Sequence, residues 1–217
     1  GPVCGRLDQG RIHFQHGPID LVIFALGESA VIEEAHAKAW ARFGQILPEL
    51  VAELPDLRQA IDPRVHCGMV APVARRMWSA CRPFARAFIT PMAAVAGSVS
   101  DEIVDFYRTA GVRRAAINNG GDIALHLEAG ERMRIAVVPD ISDPHAAHDP
   151  GKRLHLNIDA ANPVRGVATS GWPGLSFSLG IADSVTILAL TAAQADAAAT
   201  AVANAVNVDH PLVVRRP

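Results

Sequence analysis

Between Arg114 and Leu190 the chain passes through one short apolar segment after another, with no helical segment among them. Arg114–Ile117, Ile123–Leu127, Met133–Val138, Leu154–Ile158, Val167–Ser170, Leu175–Leu179 and Val185–Leu190 each read as a strand. Glycine, proline and polar residues separate them, as turns require. Strands that follow one another without a crossover helix pair antiparallel, whereas parallel neighbours need a long connection. This stretch therefore commits the chain to an antiparallel sheet and an α+β fold.

The flanking segments fit that class. Arg11–Gln15 and Asp20–Leu26, split by Gly17-Pro18, read as a hairpin, and Pro211–Val214 as an edge strand. Residues 28–54 repeat apolar residues at helical spacing, with Ile32, Ala35, Ala39 and Phe43 on one face and Pro48 expected to end the helix. After a Pro- and Gly-punctuated loop, Val73–Cys81 reads as a short helix. Thr90–Ala110 reads as a long one, its close-packing face made by Ala93, Ala96, Gly97 and Val104, and Gly111 ends it. The expected fold is a single α+β domain over residues 1–217. It has two related halves of mainly antiparallel sheet, each with a long Ala-rich helix, and no alignable repeat. Gly1-Pro2 stands where a Met is usual, as a tag-removing protease would leave the chain.

Half the residues are apolar and 19% are charged, with a net charge of −2. That balance supports a core of small residues and excludes a broad nucleic-acid surface, which needs dense positive charge. Arg75-Arg76 and Arg113-Arg114 are isolated pairs, read as solvated faces or helix ends. Cys4, Cys67 and Cys81 show no C-x-x-C spacing, so free thiols in a reducing, cytoplasmic setting are expected. No apolar run reaches membrane length.

Chemistry-bearing residues gather in three places. The first is Ser184–Asn204, SVTILALTAAQADAAATAVAN. Thr191 and Gln194 form a capping box that opens an alanine-rich helix. Inside it Asp196 and Thr200 lie at i, i+4, so both project from one face, and two hard oxygens so stacked suit a Mg²⁺-like ion. The same spacing also occurs on helices that merely pack against a sheet. The second is Ile117–Ile123, INNGGDI, where Asn119, Gly120, Gly121 and Asp122 suit either a hairpin turn or a backbone-lined ligand site. The third is Ala168–Gly174, ATSGWPG, where Thr169, Ser170 and the Gly171 amide can bond a ligand edge and Trp172 can stack on a ring. An ordinary turn has the same composition. His145, His148 and His155 lie in or beside a polar loop that fixes no metal geometry. The adjacent His66-Cys67 is a poor catalytic pair.

Taken in order, Thr90–Asp101 (TPMAAVAGSVSD), Asn118–Ile123 (NNGGDI), Ala168–Gly171 (ATSG) and Ala195–Ala201 (ADAAATA) resemble the ApbE family of flavin-nucleotide proteins. The chain is closer still to a small prokaryotic family related to ApbE, and the likeness runs from about Val73 onward. It implies an ApbE-like fold, FAD or FMN and Mg²⁺ as cofactors, and transfer of FMN to a threonine of a target protein. It implies that Asp196 and Thr200 hold the metal. Asn119, Gly120, Gly121, Asp122, Thr169, Ser170, Gly171 and Trp172 would line the nucleotide cleft. ApbE transferases also carry an H-x-I-D-P-x-T-G segment between the last two motifs. The corresponding interval here, Trp172–Asp183 (WPGLSFSLGIAD), has neither the histidine nor Asp-Pro. The catalytic residues are thus unassigned. A Mg²⁺-dependent transferase, an enzyme of the same fold acting on another small molecule (pterin-like or from sulfur metabolism) and a non-catalytic interaction module, such as a homo-oligomer joined by strand edges, all stay open.

Overall fold

The structure, a computed structural model, describes residues 1–137, 154–172, 179–210 and 213. It opens with β1 (Val3–Arg6), β2 (Ile12–His16) and β3 (Ile19–Gly27), followed by the long helix α1 (Ser29–Ala52) and the single turn α2 (Leu54–Leu57). Helices α3 (Pro72–Cys81) and α4 (Val95–Val104) precede β4 (Val112–Asn119), β5 (Asp122–Leu127), β6 (Arg132–Val137), β7 (Leu154–Asp159), β8 (Gly166–Ser170) and β9 (Val185–Ala189). Helix α5 (Ala192–Ala205) follows. The main sheet has the order β1-β2-β3-β4-β5-β8-β9, and β6 and β7 form a separate two-stranded ribbon. Every pairing is antiparallel, as the run of strands without crossover helices requires. The fold is α+β.

Side chains alternate across the sheet and so build two cores. On one face Phe14, Leu21, Ile23, Ala115, Ile117 and Ala124 pack with α1, α3 and α4. On the other, Leu125, Leu127 and Val167 pack with Met133, Ile135 and Ile158 of the ribbon. Helix α5 lies on the first face, where Ala195 and Ala199 meet Ala168 of β8. Each half of the sheet thus carries a long helix: α1 follows β3, and α5 follows β9.

Three local expectations give way. Helix α1 does not end at Pro48 but continues to Ala52. Buried Ile46 and Leu50 anchor the turns on either side of the proline, which costs the helix one backbone hydrogen bond. The single helix expected over Thr90–Ala110 is three pieces. A 3₁₀ turn covers Pro91–Ala94, α4 follows, and a second 3₁₀ turn covers Asp105–Tyr107. Ala94, at φ −130° and ψ 21°, breaks the first junction, and α4 gains a free N-terminus there. Strand β1 is an addition to the expected elements, since VCGR is short and holds a glycine, a weak strand signal. All but Leu179 of the expected strand Leu175–Leu179, all but Val213 of the edge strand Pro211–Val214, and the loop with His145 and His148 lie outside the described residues.

Three of the four paired arginines form ion pairs. Arg76 pairs with Glu102 and Asp105, and Arg113 and Arg114 with Glu131. All three cysteines are free. Among the described residues no helix is long and apolar enough to cross a membrane.

Candidate functional site

The alanine-rich helix presents Asp196 and Thr200 inward. Ala192, Ala193, Ala195, Ala197, Ala199 and Ala203 are buried, and so are Asp196 and Thr200. Thr191 caps the helix as its sequence requires, its hydroxyl accepting the Gln194 amide at 3.2 Å. Alanine's small volume lets α5 press onto β8 and α4.

Asp196 Oδ2 accepts the Gly97 amide at 2.9 Å, and the carboxylate also accepts the Ala96 amide. These are the second and third amides of α4, so Asp196 caps a helix that has no side-chain cap of its own. Burial, and then the charge of Asp122, hold the Asp196 carboxyl well above the usual carboxylate range, while the α4 amides draw it back. One turn further along α5, the buried Thr200 hydroxyl has no hydrogen-bond partner among the described residues. A buried hydroxyl left alone costs about 1–3 kcal/mol, which a ligand oxygen, water or cation can recover.

The second motif is a hairpin turn. Gly120 and Gly121 form a two-residue hairpin turn between β4 and β5, with φ of 63° and 113°. Few side chains tolerate that conformation. Asn118 Oδ1 accepts the Gly121 amide at 2.8 Å and locks the turn. The turn in turn places Asn119 and Asp122 opposite each other on the helix-covered face of the sheet. Asn119 Nδ2 donates to Ala96 O at 3.2 Å, and Ser100 Oγ donates to the Asp122 carbonyl at 2.9 Å. Burial pushes the Asp122 carboxyl up to about 7, while the Thr169 amide it accepts pulls it down. Among the described residues no ion pair reaches Asp122 or Asp196. Among the bonds described, the Asp122 and Asp196 carboxyls accept only backbone amides.

The third motif divides. Ser170 is buried on the same face as Ala168 and α5. Thr169 projects from the opposite face, where its hydroxyl bonds Thr186 Oγ1 at 2.9 Å. Its amide, not its hydroxyl, reaches Asp122. Gly171 is buried, and a Cβ there would lie 2.2 Å from Asp183 O. Trp172 is 58% exposed, with its amide donating to Ala182 O and its indole Nε1 to Asp183 Oδ1 at 3.1 Å. His66 and Cys67 lie in the loop between α2 and α3, with His66 exposed.

Among the described residues no three His, Cys, Asp or Glu side chains stand close enough to hold a metal unaided. Asp196 and the unpartnered Thr200 hydroxyl nonetheless fit Mg²⁺, which binds through one or two carboxylates and fills its shell with water and phosphate oxygens. A shallow hollow lined by Arg108, His126, Arg165 and Thr191 lies at the far end of β5 and is separate from this site.

Sequence reasoning gave Asp101 no role. It is 1% exposed on α4 and accepts the amides of Ala192 and Ala193. The available signal was a carboxylate among the small residues of TPMAAVAGSVSD.

Comparison with known proteins follows the same lines. The model of a family described as AbpE bacteria matches residues 4–217. The UPF0280 protein of Methanosarcina acetivorans is 35% identical over 190 residues, covering 87% of this chain and 70% of that protein. The UPF0280 protein of Methanocella arvoryzae is 35% identical over 160 residues, 73% of this chain and 60% of its own length. The chain thus spans less than two thirds of the Methanocella protein. The apo crystal structure of Pseudomonas stutzeri flavinyl transferase ApbE is 14% identical, covering 93% of this chain and 82% of that one, with a TM-score of 0.47. That likeness is too slight to bear on function.

Proposed function

This chain belongs to the family described as AbpE bacteria, and from that premise we propose that its cleft binds a flavin nucleotide together with Mg²⁺. The observation that carries the reading is the buried pair on α5. Asp196 and Thr200 stand one turn apart beside Asp122, and the Thr200 hydroxyl is unpartnered. The match of ADAAATA, NNGGDI and ATSG to ApbE motifs supports the same assignment.

In this reading Asp196 and Thr200 hold the cation. Bound there, Mg²⁺ would neutralise phosphate oxygens and so favour transfer at a phosphoanhydride. The Gly120–Gly121 turn leaves open space where side chains would otherwise stand, so phosphates can approach the backbone. Asn119, tied to Ala96 O, fixes the distance between that turn and α4. Trp172 covers the rim and stacks on a planar ring.

Transfer chemistry is the finer part of the proposal. The interval that carries a histidine and Asp-Pro in ApbE transferases begins here with Trp172, whose indole is tied to Asp183. That contact favours a second reading, in which the cleft keeps its cation pair but shapes its pocket for another planar ligand. Isothermal titration with FAD, with and without Mg²⁺, separates the two. Mg²⁺-dependent micromolar binding that disappears in Asp196→Ala supports the flavin reading. No heat at high micromolar FAD overturns it.

A further inference from the structure

Helices α4 and α5 cap each other. The first two amides of α5, those of Ala192 and Ala193, donate to Asp101 Oδ1 at 3.0 Å and Oδ2 at 2.8 Å. The second and third amides of α4, those of Ala96 and Gly97, donate to Asp196. Every helix leaves its first amides without partners inside the helix. Thr191 satisfies only the Gln194 amide of α5, and no side chain of its own segment caps α4. Each helix therefore supplies the carboxylate that the other lacks, across more than ninety residues of sequence.

The contact is also clamped sterically. A Cβ on Gly97 would lie 2.3 Å from Ala192 O, and one on Gly166 2.1 Å from Thr191 O. The Thr191–Ala192 corner is thus held between α4 and β8 by two glycines and tied by two hydrogen bonds to Asp101. These contacts fix both the axial position of α5 and its rotation. Asp196 and Thr200 follow on the next two turns of that helix, so their direction is set at this corner.

We propose that Asp101 is the positioning residue of the site. It touches no ligand, but by pinning the start of α5 it aims Asp196 and Thr200, and through Asp196 it keeps the N-terminus of α4 closed. The proposal rests on the reading of Asp196 and Thr200 as the cation-holding pair, but the clasp itself is measurable without any ligand.

Amide hydrogen exchange on the ligand-free protein, resolved by residue, tests the clasp in Asp101→Ala and Asp101→Asn. In Asp101→Ala the Ala192 and Ala193 amides should lose protection, and so should Gly97, each by about tenfold or more, while β4 and β5 keep theirs. Asp101→Asn retains one acceptor oxygen and should restore protection to one of the two α5 amides and part of that at Gly97. It also carries the test if Asp101→Ala does not fold. Unchanged Gly97 protection in the variants would overturn the proposal, because the two caps would then be independent. Titration with FAD and Mg²⁺ adds the second readout. Asp101→Ala should bind about 10- to 100-fold more weakly, with Asp101→Asn between it and the parent. Wild-type affinity in Asp101→Ala would also overturn it. Failure of the parent protein to bind FAD would instead count against the flavin reading and leave the exchange result to decide the clasp.

Discussion

Replacing Gly97 with alanine sets two physical effects against each other. In an ordinary helix interior the change should stabilise by about 1 kcal/mol, because alanine loses less backbone freedom than glycine on folding. Here the new Cβ would lie 2.3 Å from Ala192 O, 2.6 Å from Ala192 C and 2.9 Å from Ala193 N, all backbone atoms. Reaching ordinary contact requires the start of α5 to retreat from α4 by roughly 1 Å in a close-packed interior. Such overpacking costs about 1–3 kcal/mol. The same retreat stretches the Asp196–Gly97 bond, now 2.9 Å, and the Asp101–Ala192 bond, now 3.0 Å, beyond useful length. Losing one bond to a charged group adds about 1.5–3 kcal/mol. Subtracting the propensity gain leaves a net loss of about 1.5–5 kcal/mol, which for a chain of this size lowers Tm by roughly 3–20 °C. Calorimetry and urea midpoints on Gly97→Ala measure it directly. A Tm equal to or above that of the parent would refute the close approach of α4 and α5, and with it the mutual capping.

Other consequences are open to simple measurement. Thr200→Val keeps the side-chain shape and removes a buried hydroxyl that has no partner. Urea unfolding should show stability unchanged or raised by about 1 kcal/mol, while Mg²⁺-dependent FAD binding weakens. Lost stability with unaltered binding would count against the site. His36 is buried with Nδ1 at 2.6 Å from Tyr107 Oη, and burial lowers its pKa from 6.5. A depressed pKa means that the unfolded chain binds the proton more readily. The contribution is therefore complete above pH 6.5 and is lost as pH falls through the lower folded value. Urea midpoints should fall between pH 7.5 and pH 5, and the fall should be smaller in His36→Gln. An equal fall in both would remove His36 as its source. Trp172→Ala changes an exposed side chain, so stability should move by no more than about 0.5 kcal/mol. Flavin affinity should drop, and an unchanged dissociation constant would remove Trp172 from the cleft.

Much of this architecture is legible in the chain because it follows from local rules. The strands after Arg114 alternate or run apolar between glycine turns, and their antiparallel pairing needs no long-range information. The Thr191 cap and the two-glycine hairpin at Gly120–Gly121 are local in the same sense. The i, i+4 spacing of Asp196 and Thr200 by itself puts both on one helix face. What local rules leave out is which partner each group meets. Thr169 looks like a ligand contact in ATSG, yet strand alternation turns its hydroxyl toward Thr186. Nothing in its own segment gives Asp101 a role, yet it caps a helix 91 residues away. Pro48 looks like a helix stop, but the burial of Ile46 and Leu50 outweighs the one missing hydrogen bond. In each case tertiary packing decided between alternatives that the local sequence left level.

The central claim is that Asp196 and Thr200 hold a divalent cation beside a flavin nucleotide. Crystals grown with FAD and Mn²⁺ in place of Mg²⁺ test it most directly, because manganese scatters anomalously. The account predicts an anomalous peak bridging the Asp196 carboxylate and the Thr200 hydroxyl, with flavin density running from there past Gly120–Gly121 toward Trp172. Ordered flavin elsewhere, or a manganese peak that avoids both side chains, would contradict it.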